Sequence, residues 1–561
     1  AWIRAIQNQG MPVMSWYPMC YSAEAVRVHP EWASRPFPGD DRPKYDEEAA
    51  AHCCINTPYG EALIAFAIEA IGELGLDGFW FDGSHFSPAN QVRCACDFCS
   101  RKFKSETGFE FPPKKDWEDA SFRHWVKWRY RTFTEYWGRL AGEVRRAHPH
   151  ARVAINHLHR PDGGTSCWPM GAPLGPTGAD AIGGTEGSSL WRTSAFITRL
   201  TRAYGYDEVE NWMGFHLLHT ALKGDPTVYL HHALDCMTAG GMPSFGTDDS
   251  AARNRRTYEA LAAIINPRAP WVGGESVPYV ALHVSDQAET FHFARLSRQR
   301  DHTHFPHGYW RSLLGWDHLL TETQCLTDVI FDAHLKSGSL SRYPVVIMPL
   351  SMALSDADLA ALEDYVAGGG VLVAGPGFGA CDEWGEPADP LRVRRLLGIH
   401  AVPPPETDHQ TTPPDGMAIH HLGCGKVIRL QGDVGGRFHA SRSRILARAT
   451  ADLLRKLAPP VIRVTDNPNI HVGLFRRKGE LILHVQNGIG YSETLKAVSS
   501  PLLRPPSLRR GVRLEIDAFP VRKVELVVGE SGKRPAIHTG NNGTTIILPE
   551  LGWGAVLRLE T

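Results

Sequence analysis

Cys94, Cys96 and Cys99, in the run CACDFC, set three thiols closer together than independent core positions would require. Thiolates at that spacing are soft ligands that close on an ion such as zinc, which takes four in a structural site. The fourth must come from elsewhere. Cys54 in CCINTPYG is the best candidate, with Cys53 and Cys20 as alternatives. No general base or open coordination position accompanies the cluster. Its chemistry therefore reads as structural, and no catalytic cofactor is expected.

The second chemical feature is a carboxylate. GFWFDG (78–83) is an apolar, strand-like run that ends on Asp82. It follows PYGEALIAFAIEAIGELGLD, where Leu63, Phe66, Ala67, Ala70, Ile71 and Leu74 recur at helical spacing. A helix followed by a buried strand with Asp at its end is the pattern of an α/β barrel rim, where catalytic groups sit. The plain alternative is an Asp-Gly turn. Trp80 and Phe81 point to opposite faces of the strand, so one of them at most lines a pocket.

Hydrolysis of a glycosidic bond needs two carboxyl groups, one to attack or to activate water and one to protonate the leaving oxygen. Glu186, closing DAIGGTEG two strands after Asp82, is the first choice for the second role. Glu210 in VENW and the pair Asp248-Asp249 in FGTDD rank below it. Asn156, His157 and His159 in AINHLH end another strand and are candidates to bind sugar hydroxyls, as is Asp248. Trp16, Trp80, Trp168, Trp191 and Trp212 fall at or near the same rim, and aromatic faces pack on the apolar faces of pyranose rings. His231-His232 are adjacent on a helical pattern and point apart, so they do not make a metal pair.

The elements that must position these groups alternate. Strands read at 12–17, 78–82, 152–157, 180–186, 209–213 and 242–246, with amphipathic helices between most of them. That is βα alternation of (β/α)8 barrel type with six strands in place of eight. A chain opening on a helix predicts two further βα units upstream, about 60 residues at roughly 30 per unit; a six-stranded open sheet is the alternative. From residue 276 the pattern restarts as a flavodoxin/amidotransferase-like α/β domain, including the helix SDADLAALEDYVAGGG with Ser355 as its N-cap. GPGFG in this region lacks the full GxGxxG and an acidic partner, so it is not read as a phosphate loop. After 458, short alternating runs separated by Gly, Pro and Asn predict an antiparallel β-sandwich. The expected domains are thus 1–275, 276–458 and 459–561.

Composition excludes several classes. The chain has 561 residues, a net charge of -2 and 43% hydrophobic content. Scattered positive charge argues against nucleic acid as a partner. No apolar run approaches the roughly 18 residues of a membrane span. Eleven cysteines, an odd number in a large chain, argue against a disulfide scaffold. The compartment stays open. Metal-type reduced cysteines favour the cytoplasm, but the sequence begins AWIRAIQNQG, without Met, so a targeting segment could have preceded it.

These residues resemble known families. GMPVMSWY, a helix and then GLDGFWFDG resemble the third and fourth strands of glycoside hydrolase family 29, the α-L-fucosidases, whose nucleophilic Asp lies in a W-F-D-G setting. The resemblance implies that Asp82 is a nucleophile; Glu186 rests on position alone. CCINTPYG followed by CACDFC resembles the zinc cluster of family 42 β-galactosidases and implies Cys54, Cys94, Cys96 and Cys99 as ligands. RYPVVIMPLSMALSDADLAALEDYVAGGGVLVAG is similar to the β-galactosidase trimerisation domain, an amidotransferase-like fold without catalysis of its own. The whole is similar to the hypothetical glycosyl hydrolase group that joins a fucosidase-like barrel to that domain, family 151 fucosidases included. Two departures stand out. The first two barrel strands, which carry sugar-binding residues in fucosidases, are absent. The strand ending at Asp82 also lacks the Asn-Glu acid/base pair of family 42.

The expectation is a retaining exo-glycosidase acting on an α-L-fucoside of an oligosaccharide or glycoconjugate, with Asp82 as nucleophile and Glu186 as acid/base. Retention requires their carboxyl groups to lie about 5 to 5.5 Å apart. A galactosidase-like specificity, or a binding protein without catalysis, is the alternative. Through the resemblance, a homo-oligomer, dimer or trimer, is implied.

Overall fold

The computed structural model describes residues 2–35, 52–82, 94–157, 182–186, 193–206, 208–213, 226–245, 251–293, 307–399, 417–465, 469–488, 505–530, 532–540 and 543–561. Six strands alternate with helices through the first half of the chain. They are β1 (Met14–Pro18), β2 (Gly78–Asp82), β3 (Arg152–His157), β4 (Ile182–Glu186), β5 (Glu208–Met213) and β6 (Met242–Phe245). The helices between them include α1 (Tyr59–Leu74), α2 (Asp97–Thr107), α3 (Ala120–Ala147), α4 (Thr193–Ala203) and α5 (Pro226–Thr238). Strands two and three have the bounds expected from sequence; β1 differs by one or two residues at both ends, and β4, β5 and β6 by one or two at one end.

The chain divides into two compact units. One comprises 1–186 with 204–209 and 295–305, and the other the remainder. In the first unit β1 to β4 run parallel, with Pro18 opposite Asp82, Phe81 opposite Ile155 and His157 opposite Thr185. Side chains alternate across these strands. Phe79, Phe81, Val153 and Ile155 are buried on one face, where Tyr17 meets Phe66 of α1 at 4.9 Å between ring centroids. The other face carries Trp16, Trp80, Asp82 and Asn156. Gly78 is dictated by close approach, since a Cβ there would lie 1.8 Å from the Arg152 carbonyl of β3. The buried stripe of α1 corrects the sequence reading. Leu63, Ile64, Ala67, Ala70 and Ile71 face inward, while Phe66 and Leu74 are exposed. A stripe of large residues wider than the contact face leaves its flanks in water.

In the second unit β5 and β6 pair in parallel, Glu210 opposite Met242. Beyond them come β7 (Glu275–Ser276), β8 (Val280–Val284), α6 (His307–Glu322), β9 (Thr327–Phe331), β10 (Val345–Met348), α7 (Asp356–Ala367), β11 (Val371–Ala374), β12 (Met417–Leu422), β13 (Gly425–Leu430), α8 (Val434–Ser441) and α9 (Arg444–Leu457). The α/β sheet has the order β12-β13-β11-β10-β8-β9, parallel except for β12 at its edge. Ser355 caps α7, as its sequence position predicted. GPGFG runs from β11 into a turn rather than a helix, so no phosphate loop forms. At the strand ends His283 Nδ1 bonds Ser351 Oγ at 2.7 Å, and its Nε2 lies 3.1 Å from Asp332. All three are sealed from solvent and tie β8, β9 and the turn after β10 together.

The antiparallel sandwich uses β14 (Ile462–Thr465), β15 (Ile470–Arg477), β16 (Glu480–Asn487), β17 (Arg509–Ile516), β18 (Lys523–Val528), β19 (Ala536–Gly540), β20 (Gly543–Leu551) and β21 (Gly554–Glu560). Its sheets are β14-β17-β20-β19 and β18-β21-β16-β15-β7. Buried polar pairs join the parts of this unit. Arg199 of α4 bonds Asp317 of α6 at 2.5 Å, and Asp235 of α5 meets His471 of β15 at 3.3 Å. These polar side chains are excluded from water, and removing either partner of a pair would leave the other buried without it. His232 bonds Ser194 Oγ and His231 packs on Trp553, so the adjacent histidines do diverge. Among the described residues no helix is long and apolar enough to cross a membrane.

His484 of β16 is buried, and its Nε2 donates to the Trp271 carbonyl at 3.1 Å. Burial pushes its pKa down to about 4; the carbonyl opposes this and Arg268 adds to it. The unfolded chain keeps a value near 6.5. A depressed folded pKa means stability that is full above about pH 6.5 and lost as pH falls toward 4, on the order of 3 kcal/mol in all. Chemical denaturation at stepped pH should give a shallower acid-side decline for His484→Gln than for wild type. Identical slopes would refute this assignment.

Candidate active site and thiolate centre

Parallel register brings three strand ends level, and their polar side chains meet there. Asp82, half-buried at the end of β2, accepts from Trp16 Nε1 on Oδ2 at 3.1 Å and from Asn156 Nδ2 on Oδ1 at 2.9 Å. Trp16 comes from β1 and Asn156 from β3, so each carboxylate oxygen is held by a neighbouring strand. Asn156 is fully buried, which fixes its amide, whereas Trp16 is 59% exposed and presents a ring to solvent. Trp80 is half-buried on the face that carries Asp82; Phe81 is buried on the other. Two N–H donors, one to each oxygen, orient the carboxylate. Such a group can attack an electrophilic carbon, accept a proton, or bind a hydroxyl.

The other predicted residues fall in different places. Glu186 ends β4, the strand beside β3, but its side chain and that of His157 lie outside the described residues. Asp248, Asp249, His159, Trp168 and Trp191 also lie outside them. Trp212 is half-buried in β5 and, with Glu210, belongs to the second unit.

The four cysteines converge. Cys54, Cys94, Cys96 and Cys99 are buried, with all Sγ atoms within 4.8 Å of one another. Cys54 and Cys99 lie 3.3 Å apart. A tetrahedral zinc with Zn–S of about 2.3 Å would space its sulfurs by roughly 3.8 Å, so the donor set fits that ion. Crowding splits the thiols. Hydrogen bonds shared with Cys54 hold Cys94 and Cys96 below the ordinary thiol value. Cys54, bonded by the other three, and Cys99, desolvated by burial, are pushed up. The alternatives do not join the group: burial pushes Cys20 to about 12 and Cys53 to about 11, and Cys53 Sγ points to the Ser22 carbonyl.

Two residues at this centre were not read from the sequence. Arg129, fully buried on α3, donates from its guanidinium to Cys99 Sγ at 3.2 Å and reaches Cys54 Sγ at 3.9 Å. Asn56 donates to Cys99 Sγ at 3.3 Å. The available signal for Arg129 was its place in FRHWVKWRYRTF, four residues after Trp125 and four before Phe133, both buried. The centre also connects to the carboxylate through the backbone. Cys53 N–H bonds the Cys20 carbonyl at 3.0 Å, Tyr59 Oη bonds the Met19 carbonyl at 2.9 Å, and Met19 N–H bonds the Asp82 carbonyl at 2.7 Å.

Comparison with solved structures establishes the fold as a (β/α)8-type barrel followed by an α/β domain and an antiparallel sandwich. α-L-Fucosidase isoenzyme 2 from Paenibacillus thiaminolyticus superposes with a TM-score of 0.68 at 15% identity, covering 100% of this chain and 89% of that one. Gan42B, a family 42 β-galactosidase from G. stearothermophilus, gives 0.67 at 14% identity, with 99% and 89% covered. An exo-carrageenase of family 42 from Bacteroides ovatus gives 0.58 at 10% identity, with 98% and 75% covered. More particularly, residues 285–400 match the family model described as the β-galactosidase trimerisation domain. No curated protein matches the chain by sequence.

Proposed function

We propose that this protein is a retaining exo-glycosidase that hydrolyses an α-L-fucoside or a closely similar sugar. The observation that carries the reading is the Asp82 carboxylate, held at the end of a parallel strand by one donor from the strand on either side. The fold shared with a fucosidase and with β-galactosidases supports the reaction class. Asp82 attacks the anomeric carbon, the glycosidic C–O bond breaks, and Glu186 gives its proton to the departing oxygen. Glu186 then takes a proton from water as that water displaces Asp82 and regenerates the carboxylate. Trp16 and Asn156 aim the attacking oxygen in the first step and stabilise Asp82 as leaving group in the second. The exposed Trp16 ring and Trp80 serve as platforms for the sugar, with His157 as a further contact.

Cys54, Cys94, Cys96 and Cys99 would hold a structural zinc, which crosslinks the loop before α1 to the loop before α2. No step of the reaction passes through it. Its effect reaches Asp82 through the Cys53–Cys20 and Met19–Asp82 backbone bonds. The 285–400 domain would assemble the chain into a homo-oligomer, dimer or trimer; light scattering returning the 62.1 kDa mass of one chain would contradict that. A β-galactosidase-like specificity is the second reading, favoured by that domain and by the thiolate centre. The Asp-Gly ending of β2, where family 42 resemblance would call for Asn-Glu, weighs against it.

A panel of aryl glycosides, α-L-fucoside included, tests the proposal. Asp82→Asn should lower kcat by at least ~10³-fold on the preferred sugar. Glu186→Ala should spare substrates with activated leaving groups most, and azide should restore its turnover. The first-formed sugar, followed by NMR, should keep the anomeric configuration of the substrate. Full activity in Asp82→Asn, or an inverted product, would refute the assignment.

A further inference from the structure

The thiolate centre leaves a charge that the ligands themselves do not balance. Four thiolates around a divalent ion carry a net charge of about -2, and all four cysteines are excluded from water. An isolated charge of that size in a dry interior is costly unless a counter-charge is buried with it. Arg129 is that counter-charge by position. It is 1% exposed, lies on the long helix α3 and meets two of the four sulfurs with its terminal nitrogens. The dependence is mutual. Without a negative centre, Arg129 would be a cation buried beside the Phe133 ring, 5.1 Å from its guanidinium carbon.

The donors are also unevenly shared. Arg129 and Asn56 both donate to Cys99, and Lys102, itself paired with Glu106 at 3.8 Å, donates to the Asn56 side-chain amide oxygen at 3.4 Å. Cys99 stands on the first turn of α2, so the helix that brings the sulfur in also brings Lys102. The donors therefore gather on the Cys99 side of the centre.

We infer that Arg129 is a positioning residue for metal retention: its guanidinium, donated to Cys99 and Cys54, neutralises part of the charge of the zinc-bound thiolates and slows loss of the ion. The inference rests on the zinc reading of the four cysteines, and the test separates the two. Wild type, Arg129→Met and Arg129→Lys are purified with zinc, and metal per chain is counted by elemental analysis. Each is then mixed with excess EDTA and the release of zinc is timed with a chromophoric chelator. Wild type should hold one zinc per chain. Arg129→Met, similar in length but uncharged, should release it about 10 to 100-fold faster, the range in which outer partners of metal ligands act. Arg129→Lys, which keeps the charge but not the two-pronged donor, should fall between them. It also remains informative if the Met variant does not fold, because release as slow as wild type from the Lys variant would overturn the role of the fork. Equal release rates in folded wild type and Arg129→Met would overturn the inference and leave the zinc reading intact. Wild type with neither zinc nor uptake of cobalt would overturn both.

Discussion

The parallel register of β1, β2 and β3 is the constraint on which the candidate active site depends. With Pro18 opposite Asp82 and Phe81 opposite Ile155, the strands end at one level and their same-face side chains become neighbours. A one-residue slip of either neighbour would turn Trp16 or Asn156 to the helix-facing side and leave Asp82 one donor short. The apolar layer behind the sheet resists such a slip, because it would turn Tyr17 of β1, or Val153 and Ile155 of β3, onto the polar face and away from Phe79 and Phe81. Gly78 lets β3 approach where the register begins.

The thiolate centre extends the same logic beyond the sheet. The cysteines stand outside the strands, Cys54 just before α1 and Cys94 and Cys96 just before α2. Four sulfurs and a buried guanidinium meet there. The cluster is tied to α3 by Arg129 and to the Asp82 backbone by the Met19 and Cys20 peptide bonds. The carboxylate is thus held by strand register, and the four cysteines by burial and by hydrogen bonds from Arg129 and Asn56. The second unit uses buried polar pairs differently, with Arg199–Asp317 joining α4 to α6 and Asp235–His471 joining α5 to β15.

Much of this was legible in the sequence because burial and period agree there. GFWFD and RVAINH are short apolar runs bounded by polar residues, and both are strands with those bounds. Cysteine spacing identified the thiolate centre, since few other chemistries need three thiols in one loop. Arg129 was missed because a charged residue is assigned to the solvent face of a helix by default, and only its partners reveal otherwise. The edge strand β12 was missed because MAIHHL exposes Met417 and Ile419 and shows no apolar-in alternation. β19 is exposed along its whole length and carries no burial signal at all. The pairing of Asp82 with Trp16 and Asn156 joins residues 66 and 74 positions apart, which no local pattern can reveal.

The central claim is that Asp82 forms a covalent bond to the sugar. Its most direct test is to incubate the protein with a 2-deoxy-2-fluoro glycosyl fluoride of the preferred sugar, digest it and locate the adduct by mass spectrometry. The fluorine slows both steps while the good leaving group spares the first, so the glycosyl-enzyme accumulates. The account predicts one added sugar per chain, carried by the peptide that contains Asp82. An adduct on another carboxylate, or steady turnover with no adduct and inversion at the anomeric carbon, would contradict it.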